Sequence, residues 1–92
     1  MTREEKIKNG IEKAVSVMNR MKSSNNVSDS KRRVKITSSL TLEINCIRCE
    51  FTGSPIQFEV YAIKKGEDVD CETVELHKDF EEPIEYLLNC YV

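Results

Sequence analysis

Cys46-Ile47-Arg48-Cys49 has the CxxC spacing that can set two thiolates on one metal ion or close a redox pair. Structural zinc needs four ligands, and the other candidates, Cys71, Cys90 and His77, stand alone in the chain. Residues three apart on a regular strand face opposite ways, so only an irregularity at 46–48 could turn both sulfurs to one side. A redox CxxC opens a helix, whose dipole lowers the thiol pKa, and the surrounding pattern here is strand-like. The expectation is that Cys46 and Cys49 are small core residues and that no cofactor is held. A zinc-stabilised domain using Cys46 and Cys49 with Cys71, Cys90 or His77 is the alternative. Four cysteines in a short chain form a disulfide framework only in an oxidising compartment. The opening residues Met1-Thr2-Arg3-Glu4-Glu5-Lys6 lead into no apolar export segment, so free thiols in a cytoplasmic setting are expected.

Cys–His catalysis would need a thiol beside His77 and an oxyanion hole, and nothing in the sequence marks either. The three glycines (Gly10, Gly53, Gly66) are scattered, so no phosphate-cradling loop exists. A chain of 92 residues is small for an enclosed cleft, because domains of this size bury only about 60–65% of their unfolded surface. The expectation is one domain with no catalytic residues.

Charge is divided along the chain. Residues through Leu40 carry ten basic and four acidic groups, and residues 41–92 carry four basic and twelve acidic, for a net −2. Glu67, Asp68, Asp70, Glu72, Glu75, Glu81, Glu82 and Glu85 crowd a stretch whose one lysine is Lys78. They are expected to form an acidic face that attracts a protein with a basic surface. The competing reading has these carboxylates neutralised by the lysines and arginines of the opening helix. Lys31, Arg32, Arg33 and Lys35 form the opposite patch. They are read as charges guarding a strand edge. Nucleic-acid binding there is the alternative, with Phe51, Phe58 and Tyr61 as the available stacking platforms.

These groups need a scaffold. Ile7, Ile11, Ala14, Val15, Met18 and Met21 make one stripe, which predicts an amphipathic helix over 2–23, capped by Thr2 and Glu5. Gly10 should weaken that helix by about 1 kcal/mol relative to Ala. Residues 23–31 read as a mobile polar linker. A sheet follows over 33–77. Val34, Ile36, Ser38, Leu40, Leu42, Ile44 and Cys46 share one parity, in one strand or two. The parity then flips to Ile47, Cys49 and Phe51, which predicts a β-bulge near 46–48. Ile56, Phe58, Val60 and Ala62 mark another strand, and Cys71, Thr73, Val74 and Leu76 a further one of mixed parity. A helix over 80–91 carries Ile84, Leu87, Leu88 and Tyr91, with Asp79 as its cap and Pro83 suited to its first regular position. The predicted class is α+β: an N-terminal helix, three or four antiparallel strands and a C-terminal helix, with both helices on one sheet face.

No stretch approaches the roughly 18 apolar residues of a membrane span. The small size, the Lys/Glu/Ile/Asn-rich composition and the acidic half give the chain a general character that resembles small proteins of phages and other mobile elements. That resemblance implies a host-cytosol inhibitor that presents carboxylates to a nucleic-acid-handling protein where phosphates would bind. The expected function is therefore a non-enzymatic protein-binding module. A homo-oligomer, such as a dimer in which a helix or strand edge completes a neighbour's sheet, is a further alternative.

Overall fold

The computed structural model describes residues 1–92. The element order is α1 (Arg3–Lys22), β1 (Lys31–Lys35), β2 (Leu40–Arg48), β3 (Pro55–Lys64), β4 (Glu67–Glu75) and α2 (Glu81–Tyr91). The strands form one antiparallel sheet in the order β1-β2-β3-β4. Both helices pack on one face of it, and the fold is the expected α+β arrangement with four strands.

The alternation read from the sequence sets that packing. Val34, Leu40, Leu42, Ile44, Cys46, Phe58, Val60, Ala62 and Val74 are buried on the helix side. The alternate residues, among them Arg33, Glu43, Tyr61 and Cys71, are directly paired across the strands on the uncovered face. From α1 come Ile7, Ala14, Met18 and Met21, and from the C-terminal segment Phe80, Ile84, Leu87 and Leu88, completing one core cluster. Phe58 and Phe80 meet edge to face, with ring centres 5.5 Å apart. Ile56 shares the parity of Phe58 but has no partner on β2, being the extra residue of a bulge, and is 55% exposed.

The turns follow local chemistry. Thr2 accepts the Glu5 N–H at 3.2 Å and caps α1. Lys65 and Gly66 both have positive φ (54° and 82°), the geometry of a two-residue hairpin turn between β3 and β4. Helix α2 starts at Glu81, two residues before Pro83. Proline at the third position loses nothing, because the first four helical N–H groups have no partner within the helix. Asp79 Oδ1 accepts the Glu81 N–H at 3.0 Å, so the expected cap acts from just before the helix.

A register shift lies at Ile47/Arg48, near where the parity flip predicted a bulge, but the extra residue is Ile56 of β3: Ile47 pairs with Gln57 and Arg48 with Pro55. Its consequence differs from the expectation. Ile47 and Phe51 do not become core residues: Phe51 is 88% exposed on the loop after β2. Arg48 keeps the parity of Leu42, Ile44 and Cys46 and so faces the helix side, toward the end of α1. Its guanidinium donates to the carbonyls of Met21 (3.0 Å), Asp29 (2.7 Å), Gly53 (2.9 Å) and Ser24, and to Ser30 Oγ (3.1 Å). Those five bonds match the five donors of an arginine. Residues 23–30 thereby form a turn with defined bonds. Ser24 Oγ accepts the Asn26 N–H, Asn26 Oδ1 accepts the Ser28 N–H, and Ser30 Oγ donates to the Val27 carbonyl. Gly53 (φ 73°) sits so close to the Asn25 carbonyl that a Cβ would collide with it.

Gly10 has a different role from the weakening expected of it. It is buried where α1 meets α2, and a Cβ there would lie 2.8 Å from Leu88 Cδ1 and 3.1 Å from Ile36 Cδ1.

Two stability outcomes follow. Arg48→Met should lower the unfolding free energy by about 3 kcal/mol, because several carbonyls lose a charged donor at once. It would be read as a lower urea midpoint at unchanged slope. Arg48→Lys should recover only part of that loss, having three donors and no planar fork. Gly10→Ala should destabilise by about 1 kcal/mol even though alanine is the better helix former, since the fully buried Leu88 has no room to yield. A rise in melting temperature for Gly10→Ala would contradict the close-approach account.

Candidate functional site

The site begins with where the cations go. Arg3 Nε donates to the Val92 carbonyl at 3.0 Å and an Arg3 terminal nitrogen to the Asn89 carbonyl at 2.7 Å. Lys64 reaches the Tyr91 carbonyl at 3.0 Å. The last turn of α2 has no basic residue of its own, so these two cations supply the positive charge that a helix C-terminus favours. Lys22 donates to the Leu76 carbonyl at 3.1 Å and lies over the Phe80 ring, 5.6 Å from its centre. Arg48 is held by carbonyls and a hydroxyl, as above. Of the cations of the opening helix, Arg3 and Lys22 thus bond backbone oxygens, and none forms an ion pair with the acidic stretch.

The ion pairs confirm this distribution. They are Arg32–Asp29 (2.8 Å), Arg33–Glu43 (3.0 Å) and His77–Glu75 (3.3 Å). None of the eight expected carboxylates pairs with a lysine or arginine. No buried side-chain nitrogen or oxygen lacks a partner, so the unpaired charge is all at the surface.

The eight carboxylates do not share one surface. Glu72, Glu75 and Glu82 line an open groove of about 550 Å³ where the β4 edge meets the start of α2. Asp79, read from the sequence only as a cap, lines it too. Lys78 is its one cation, and Val74, Pro83 and the half-exposed Tyr86 form its apolar wall. Glu67 and Asp68 lie at the hairpin end of β4. Asp70 is engaged: Oδ1 accepts the Cys71 N–H at 2.8 Å, and Oδ2 lies 3.0 Å from the Tyr91 hydroxyl. Glu85 faces the cleft between α1 and α2, with Arg3, Lys8 and Asn89. Glu81 lies against Asn19 and Arg20 of α1.

The phenols and thiol beside these carboxylates are raised, in part by the carboxylate charges. The Tyr86 phenol is raised, first by its hydrogen bond with Cys90, then by the charges of Cys90, Asp70 and Glu72. Tyr91 is raised chiefly by its hydrogen bond to Asp70. Burial raises the Cys71 thiol, with Glu59, Asp70 and Glu72 adding to the effect and a Tyr61 hydrogen bond opposing it.

On β1, Lys31, Arg32, Arg33 and Lys35 are all exposed. Arg32 and Arg33 are in ion pairs, while Lys31 and Lys35 have no carboxylate partner. Of the three aromatic residues considered for base stacking, Phe58 is fully buried, Tyr61 is half-buried on the open face and Phe51 is on the loop after β2.

The cysteines are dispersed. Cys46 is buried among the helix-side residues, Cys49 lies in the loop after β2, Cys71 is on the open face of the edge strand, and Cys90 is exposed on α2. His77 follows β4 and contacts Glu75. No three histidine, cysteine, aspartate or glutamate side chains are grouped to hold a metal ion.

No family model matches the chain, and neither curated proteins nor solved structures give a match. No helix is long and apolar enough to cross a membrane.

The thiols should separate by reactivity. Burial raises the Cys46 thiol. Cys49 is lowered, first by a hydrogen bond from the Thr52 side chain and then by the backbone N–H groups of Phe51 and Thr52. A lower pKa means more thiolate at neutral pH, so limited iodoacetamide labelling read by peptide mass should modify Cys49 well before Cys46. Thr52→Val should slow labelling of Cys49 and leave Cys46 unchanged. Equal rates at the two sites would contradict the assignment.

Proposed function

We propose that this chain is a non-enzymatic binding module whose groove between β4 and α2 docks a lysine- and arginine-rich segment of a protein partner. The observation that carries the reading is the absence of lysine or arginine partners for Glu72, Glu75 and Glu82, while Arg3, Lys22, Arg48 and Lys64 are held by backbone carbonyls. A groove with four carboxylates and one lysine gathers cations from solution and speeds encounter. An arginine entering it would meet carboxylates at bidentate range and an exposed Tyr86 ring for stacking. Facing a nucleic-acid-handling protein in the cytosol, the same carboxylates would occupy phosphate positions, and the module would act as an inhibitor.

The test is fluorescence anisotropy with an arginine-rich peptide, a sequence-scrambled acidic peptide and single-stranded DNA, each across a salt series. The arginine-rich peptide should bind, with affinity falling steeply as salt rises. The triple variant Glu72→Lys, Glu75→Lys, Glu82→Lys should weaken it by more than about tenfold, the scale of losing a few exposed charge contacts. Binding that survives this reversal, or a preference for DNA, would overturn the proposal.

A further inference from the structure

The two edges of the sheet differ in charge and match in geometry. Ser30 and Cys46 are hydrogen-bonded across β1 and β2, as are Ile36 and Leu40. Alternation along an antiparallel pair then gives β2 the amides of Arg32 and Val34, and turns those of Lys31, Arg33 and Lys35 outward. At the other end, Lys65 N–H donates to the Ser39 carbonyl. The same alternation binds Asp70, Glu72 and Val74 to β3 and turns Cys71, Thr73 and Glu75 outward. On that acidic edge the Cys71 N–H is taken by Asp70 and the Glu75 carbonyl by Lys78 N–H. The Cys71 carbonyl, both Thr73 groups and the Glu75 N–H remain open.

We infer that the chain self-assembles head to tail, with the basic β1 edge of one copy pairing antiparallel to the acidic β4 edge of the next. A four-stranded meander runs β1 and β4 in opposite directions, so a copy displaced sideways presents β1 antiparallel to β4. The outward residues of both edges point their side chains to the open face, so the pleat continues unbroken. Setting Arg33 opposite Thr73 satisfies all four open groups of β4. It also sets Lys31 opposite Glu75, and Arg32 diagonal to Glu72. The helix layer is commensurate: two helices at about 10 Å cover about 20 Å, and four strands at about 4.8 Å cover about 19 Å. Like edges repel and unlike edges attract, so charge that would block β1–β1 or β4–β4 contact selects β1–β4. Such a contact is heterologous and does not close on itself by a two-fold axis.

Sedimentation velocity of the full chain tests this across a wide concentration range at low and high salt. At low salt the weight-average mass should rise by more than about twofold, past a dimer, as a non-closing contact requires, and at high salt it should return to the monomer. Arg33→Pro and Thr73→Pro each remove an outward N–H without touching an internal ladder bond. Each variant alone should stay monomeric, and an equimolar mixture should stop at a dimer, since each retains the edge the other lacks. If either proline variant loses its circular-dichroism spectrum, the pairs Lys31→Glu with Lys35→Glu and Glu72→Lys with Glu75→Lys replace it. A wild-type chain that stays monomeric at all concentrations overturns the inference. So does an assembly that persists in both edge variants, or a closed dimer. The acidic edge is shared with the proposed docking groove, yet the two ideas fail separately. A monomer that binds the arginine-rich peptide removes only self-assembly, and an assembling chain that ignores the peptide removes only docking.

Discussion

Arg48 is the side chain on which the periphery of this fold depends. Three segments meet at its guanidinium: the end of α1 at Met21 and Ser24, the turn at Asp29 and Ser30, and the adjoining β2–β3 loop at Gly53. None of its partners is a carboxylate. The last carbonyls of a helix carry partial negative charge and have no partner within the helix. A charged, five-donor side chain satisfies several of these oxygens in one place. Strand alternation makes this possible, since Arg48 shares the parity of Leu42, Ile44 and Cys46 and so faces the helix side at the end of β2.

Arg48 is the clearest case of a wider distribution. Arg3, Lys22 and Lys64 also spend their charge on main-chain oxygens at element ends. Helix ends and loop carbonyls thus take up cations that are then not paired with the acidic half. The unneutralised rim along β4 and α2 results from how the helix termini are satisfied. The opposite edge is offset differently, by local pairs on two of its four cations, Arg32 with Asp29 and Arg33 with Glu43. The molecule is consequently polarised across its sheet.

Much of the architecture was legible in the sequence because periodicity is a direct consequence of burial. The parity of Val34 through Cys46 and of Phe58 through Ala62 placed the sheet face, and the α1 stripe placed the helix. The parity flip lies near the register shift, whose extra residue is Ile56 of β3. The inward facing of Arg48 is implicit in the parity of Leu42 through Cys46, but its partners are not, because most of the oxygens awaiting a donor lie 18 to 27 residues away in the chain. Gly10 misled for a related reason: propensity scores a residue within its own helix, whereas its contacts are with Leu88 and Ile36. Of the site, the acidic composition was visible, but its division was not. Asp70 binding to its neighbour's N–H and to Tyr91, and Asp79 lining the groove, depend on how α2 lies against β4.

The Arg48 cluster also couples local structure to distant structure. Its donors and acceptors are separated by up to 27 residues, so they cannot meet until loop closure has brought the ends together. The β2–β3 hairpin, closed by a six-residue loop (Cys49–Ser54), is local and forms without them. Within that hairpin the alternation of β2 already sets the guanidinium on the side where α1 packs. Docking of α1 and closure of the 23–30 turn onto that guanidinium are therefore one event, coupled through a single side chain.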